Sequence, residues 1–270
     1  MEFLINLMQY PFMQRALICG ISISLCAALI GVILVLKKYS MIGHGLGEVG
    51  FASLSLALAL NLPEIYVAIP IVIIASFIIL AISQKKGEEG DVAIALVSTG
   101  ALAFGIIITA LTKGFNIDVY NYMFGSILTM TIKDVIISIV LSAFLVITYI
   151  IFYNRLFMIT YDEKYAKVCG INVTFYQFLI AFFTAVVVVI GMRMMGTLLI
   201  SSLIVFPAII AKKITHSFKG MSILAVIISV LCFIFGLIIS AILNLPTGAS
   251  IVMVYIVVLI ISVIWSKLVK

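Results

Sequence analysis

An all-α, polytopic membrane fold follows from three features of this 270-residue chain. Hydrophobic residues make up 65% of it and charged residues only 10%, where a soluble domain carries about a quarter charged. The mean hydropathy is +1.40. Its apolar stretches are also continuous rather than alternating, and run for about 18 or more residues, the length a helix needs to cross the hydrocarbon core. No polar stretch is long enough for a separate soluble unit, so residues 1–270 read as a single transmembrane domain.

The N-terminal MEFLINLMQYPFMQRAL reads as an amphipathic lead-in, with Pro11 breaking it before the first span. Glu2 and the lack of a basic start argue against a cleavable signal peptide. Spans are predicted at 16–36, 41–62, 65–84, 92–112, 135–153, 174–192, 194–211, 221–243 and 247–266. The very short connections inside 41–62/65–84 and 174–192/194–211 would also suit half-helices or a hairpin, so the expectation is eight or nine spans. Lys37/Lys38, Lys85/Lys86, Arg155/Lys164/Lys167, Lys212/Lys213/Lys219 and Lys267/Lys270 fall in alternate loops. Basic loops face the cytoplasm, which with nine spans puts the N-terminus outside and the C-terminus inside. The net charge of +6 is thereby a topology signal, and no nucleic-acid partner is expected.

Between the spans, residues 113–134 are amphipathic and aromatic, an outer interfacial or re-entrant segment or else an aromatic belt. Residues 155–176 form the longest cytoplasmic loop, in which Asp162-Glu163 starts a short charged helix and Gly170 stops it. The polar stretch 84–91 could sit beside it. The four cysteines give no disulfide framework: Cys19, Cys26 and Cys232 belong to spans, and Cys169 to the loop. Met192, Met194 and Met195 bracket Arg193 at a helix junction and read as packing.

Chemistry concentrates in KKYSMIGHGLGEVGFASLSLALAL, residues 37–60. His44 and Glu48 are four apart, so on a helix they share a face. An imidazole with a carboxylate suits zinc, manganese or iron, and an ionisable group in a membrane helix marks a pathway or a partner. Glu48 lies only ten residues past Lys38, so a partly solvated pair at the headgroups is the competing reading. Within the predicted spans Glu48 is the only carboxylate, which weakens a proton- or sodium-coupled carrier. There is no phosphate loop and no His-Glu-x-x-His. Gly248-Ala249-Ser250 lacks a nearby general base for an intramembrane serine hydrolase. ATP, if it drives transport, must bind another subunit.

Four stretches in order resemble the zinc/manganese/iron-type ABC permease family, the membrane subunits of metal-uptake importers. They are GVILVLKKYSMIGHGLGEVGFASLSLAL from Gly31, VYNYMFGSIL at 119–128, TYDEKYAKVCGINV at 160–173 with MGTLLISSLIVFPAIIAK at 195–212, and LPTGASIV at 245–252. The resemblance implies a permease dimer, cytoplasmic ATP-binding subunits and an extracellular metal-binding lipoprotein in a bacterial cell membrane. It makes the segment carrying Asp162, Glu163, Lys164, Ala166 and Gly170 the ATPase-coupling helix. The family's metal-site Asp and His fall on His44 and Glu48, with the order of types reversed and its Ser-His replaced by Gly47-Glu48. Two ligands per chain are fewer than the usual four for zinc, and a two-fold axis along the path would supply four.

The expected function is therefore the permease of an ATP-driven importer of divalent transition metal, zinc or manganese before iron. The chain is not expected to be an enzyme or to hold a permanent cofactor, the metal being substrate. The alternatives are a metal-chelate or vitamin-type ABC permease, and a stand-alone secondary metal carrier.

Overall fold

The computed structural model describes residues 10–86, 90–112, 125, 130–215 and 217–268. Most of the 113–134 segment, residues 1–9 of the lead-in, the centre of the 84–91 loop and His216 lie outside the described residues. Among the described residues the chain forms eleven α-helices and no strand. These are α1 (Pro11–Leu36), α2 (Ile42–Ala59), α3 (Glu64–Lys86), α4 (Gly90–Leu111), α5 (Ile132–Ile151), α6 (Tyr153–Tyr161), α7 (Glu163–Val168), α8 (Val173–Met195), α9 (Thr197–Ile214), α10 (Phe218–Leu243) and α11 (Thr247–Leu268). All but α6 and α7 are long and apolar enough to cross a membrane, which gives nine candidate spans among the described residues.

Pro11 occupies the first turn of α1, where its missing N–H costs nothing, so the first span opens at the proline. Two expectations are corrected. The closely joined pairs are not half-helices, since α2 and α9 each run 18 residues. Glu48 is also not the only carboxylate within a span, because Glu64 opens α3 and Asp134 lies in the first turn of α5.

Burial sorts the helices into a pillar and a shell. The most apolar windows of α1, α2 and α8 are 72% or more buried within the chain, whereas those of α3, α4, α5 and α11 are 28% or less and present Ile, Leu, Phe and Val outward. Outward apolar faces are what a helix needs in lipid. Between membrane helices the apolar surface gives no net drive, so close packing and interhelical hydrogen bonds decide. Ser229 Oγ donates to the Ser24 carbonyl at 3.0 Å and Tyr255 donates back to the Ser229 carbonyl at 3.0 Å. Ser76 Oγ donates to Ala181 O at 2.9 Å. These bonds tie α10 to α1, α11 to α10 and α3 to α8.

Backbone presses most closely on a glycine at Gly31. A Cβ built there would lie 1.9 Å from the Ile204 carbonyl oxygen, so α1 and α9 touch backbone to backbone. Gly31→Ala should force the two helices apart and destabilise the protein by about 1–3 kcal/mol, the cost of overpacking. Thermal unfolding in detergent measures this, and an unchanged midpoint would contradict the contact.

Candidate metal path and coupling helix

α2 is enclosed on several sides because it carries glycine where neighbours press in. A Cβ on Gly43 would stand 3.1 Å from Ile204 Cδ1, on Gly45 2.8 Å from Ile94 Cγ2, and on Gly50 2.7 Å from Met192 Cε. Helices α9, α4 and α8 therefore close on α2 from different directions. What remains open is the stripe that carries Met41 and His44.

His44 and Glu48 occupy that stripe. His44 Nε2 lies 3.3 Å from Glu48 Oε1, and the two side chains are 55% and 18% exposed. The sequence spacing thus does bring the pair together. They sit in the first two turns of α2, just past the short connection from α1. No third His, Cys, Asp or Glu joins them among the described residues. An imidazole and a carboxylate at this separation can hold one cation between them, with the remaining positions filled from outside the chain.

The residues expected to form a coupling helix do form a short helix, α7. Asp162 caps α7, its Oδ1 accepting from the backbone N–H of Lys164 at 2.9 Å and Tyr165 at 3.0 Å. Gly170 ends the turn at φ +76, while the Ile171 N–H reaches back to Ala166 O at 3.0 Å. That left-handed position favours glycine. Ala166 is fully buried and anchors the helix. Lys164, Tyr165, Lys167 and Val168 point outward, a mixed basic and apolar face.

Two features were not read from the sequence. Lys37 Nζ meets Glu163 Oε1 at 2.6 Å, with the Lys37 side chain only 6% exposed and that of Glu163 34%. In the sequence Lys37 reads as a topology determinant only, yet it binds the first residue of α7 to the connection that leads into α2. Tyr39 lies in the same connection, and its phenol pKa is raised, chiefly by burial and secondarily by the negative charge of Glu163. The second missed feature is at the opposite membrane side. Arg193 Nε lies 3.5 Å from Glu64 Oε2, and its Nη1 3.5 Å from Asp134 Oδ1. One guanidinium thereby gathers the ends of α8, α3 and α5. Gly125, the one described residue of the 119–128 motif, packs against the same end: a Cβ on it would fall 2.2 Å from Met195 C, and its φ is +74.

Ser250, weighed as a nucleophile, donates its hydroxyl to the carbonyl of Pro246, the residue before α11, at 3.0 Å. Cys19, Cys26 and Cys232 are buried and unlinked, and Cys169 is exposed.

Comparison with known proteins matches the chain as a whole to one group. The chain is 27% identical over 254 residues to the manganese transport system membrane protein MntC of Listeria monocytogenes, covering 94% of this chain and 90% of that one. It is 27% identical to the high-affinity zinc uptake system membrane protein ZnuB of Haemophilus influenzae, covering 90% and 93%. The solved structure of PsaBC from Streptococcus pneumoniae in complex with Fab superimposes with a TM-score of 0.86 at 29% identity, covering 97% of this chain and 94% of that one. The model of the ABC 3 transport family matches residues 9–266. With nearly its whole length matched, this chain belongs to the ABC 3 transport family, as a multi-pass membrane permease.

Proposed function

We propose that two copies of this chain form the membrane path of an ATP-driven importer for manganese or zinc in a bacterial cell membrane, with His44 and Glu48 of each copy as the transport site. The observation that carries this reading is the open stripe of α2. A helix enclosed elsewhere by close-packed neighbours leaves one imidazole and one carboxylate, 3.3 Å apart, on an unenclosed face. A two-fold mate placed on that face brings the donors to four, the number a zinc site normally uses. The relatives named for manganese and zinc transport support the substrate class.

Separate cytoplasmic subunits bind and hydrolyse ATP, and α7 offers them its exposed Lys164, Tyr165, Lys167 and Val168. Asp162 and Gly170 set the ends of that helix, Ala166 buries its inner side and Glu163 ties it to Lys37. An extracellular metal-binding lipoprotein delivers the ion at the side where Arg193, Glu64 and Asp134 meet. Movement of α7 reaches α2 through the Lys37–Glu163 pair, which alternately opens the path to each side.

The test is the ATPase rate of the assembled transporter in lipid discs, with the lipoprotein loaded in turn with manganese, zinc, iron or a metal chelate. Stimulation by free manganese or zinc and not by the chelate is the expected result. Stimulation by the chelate alone would replace the reading with a chelate permease. Transport by the chain alone, without ATP, would make it a secondary carrier.

A further inference from the structure

A cleft of about 600 Å3 opens between α1, α5, α6 and α10, a size typical of small-molecule pockets. Its floor is apolar. Leu29 and Tyr149 are buried there, and the Tyr149 hydroxyl shares a hydrogen bond of 2.8 Å with Ser222 Oγ, so the polar atoms of the floor are already satisfied. Its rim carries Asn154 and Lys219. Both are exposed, and among the described residues Lys219 makes no ion pair.

The cleft is polarised along the membrane normal. Asn154 follows the end of span α5, and Lys219 is the second residue of α10, so both stand at the side of the basic loops. Ile223 and Ile227 lie four and eight residues deeper on α10, which at the helical rise is about 6 and 12 Å into the hydrocarbon. Its walls are thus a positive and amide-bearing mouth at headgroup level with an apolar slot beneath. A protein partner from the cytosol would not reach the slot, and a water-soluble anion would gain nothing from it.

A second copy of the chain fits poorly. The helix carrying His44 packs on α3, α4, α8 and α9, none of which lines the cleft. A mate placed on the His44 face, as the proposed function has it, leaves the cleft facing the bilayer.

We propose that this cleft is a binding site for an anionic glycerophospholipid of the inner leaflet. Its phosphate accepts hydrogen bonds from the Lys219 ammonium and the Asn154 amide, and one acyl chain lies along Ile223 and Ile227. The Lys219 ammonium selects anionic over zwitterionic headgroups because it repels the choline cation that sits beside the same phosphate in the latter, and the slot adds the burial of each methylene.

The assembled transporter, exchanged into mild detergent with equal phosphatidylglycerol and phosphatidylcholine, would be examined by native mass spectrometry. Wild type should retain phosphatidylglycerol in preference. Lys219→Glu should lower that retention by about 10-fold, a charge-assisted bond turned into a repulsion, and Lys219→Arg should preserve it. Ile227→Trp, which fills the slot, should lower retention of both lipids. Equal retention by wild type and Lys219→Glu would reduce the site to ordinary annular lipid and overturn the proposal. So would efficient oxidative dimerisation of Ile227→Cys, which would put a second copy in the cleft. Lys219 is exposed, so its variants test headgroup selection even if the tryptophan variant fails to fold.

Discussion

Replacing His44 or Glu48 with alanine should lower uptake of manganese and zinc at least about 100-fold, because even outer-shell partners of a metal cost 10–100-fold when removed. In a symmetric path each substitution deletes two donors at once, leaving either two imidazoles or two carboxylates. The double variant should be little worse than either single one, since ligands of one site act as a unit and their effects do not add. Glu48 is the more enclosed of the two, 18% exposed against 55% for His44, so its loss should also cost more stability. The ATPase rate of the assembled transporter without metal serves as the check on folding and should persist in both variants. The exchanged variant His44→Glu with Glu48→His keeps the donor set and reverses its order along the helix, as the family order has it. Measurable uptake by that variant, with none by the alanine forms, is the expected pattern. Normal uptake by His44→Ala and Glu48→Ala together would remove the site.

The architecture was legible because continuous hydropathy specifies a membrane helix without any need for periodicity, and the nine such runs match the nine span-length helices among the described residues. Ends were less legible where polar residues lie inside helices. α8 runs through Arg193 to Met195 and breaks at Gly196, whose φ is +86, although charge suggested a stop at 192. Glu64 and Asp134 read as loop residues for a related reason: acidic side chains favour helix N-termini, so each belongs to both a loop end and a first turn. Helix α6 was missed although Leu156, Ile159 and Thr160, its buried residues, follow helical spacing; the signal was there but shorter than a span. The His44–Glu48 pair was visible because it is local. Lys37 with Glu163 was not, since they are 126 positions apart and nothing in either neighbourhood names the other.

Breaking the Lys37–Glu163 pair should uncouple ATP hydrolysis from transport, and the two alanine variants should differ. Glu163→Ala leaves the Lys37 ammonium enclosed, 6% exposed, without its counter-charge. Removing one partner of a buried pair costs up to about 3–5 kcal/mol. Lys37→Ala leaves a carboxylate that is one-third exposed and can turn to water, so its cost is smaller. The functional effect depends on where the pair sits. Glu163 begins α7, the proposed ATPase-docking helix, and Lys37 caps the C-terminal end of α1, from which five residues lead to α2. The connection is stiff: Tyr39 N–H bonds to Leu34 O at 2.8 Å, and Lys38 holds φ +63. Under the proposed function, a push on α7 would reach His44 through one ion pair and one tight turn. Each alanine variant should keep ATPase activity and lose most metal uptake, Glu163→Ala the more. The charge exchange Lys37→Glu with Glu163→Lys should restore uptake in part only, because it sets a cation in the first turn of α7, an unfavourable end for it. Partial rescue by the exchange is the decisive readout, since a pair that merely stabilised the fold would alter melting temperature and leave the ratio of ion moved to ATP hydrolysed untouched. An unchanged ratio in Glu163→Ala would break the proposed link between α7 and the metal helix.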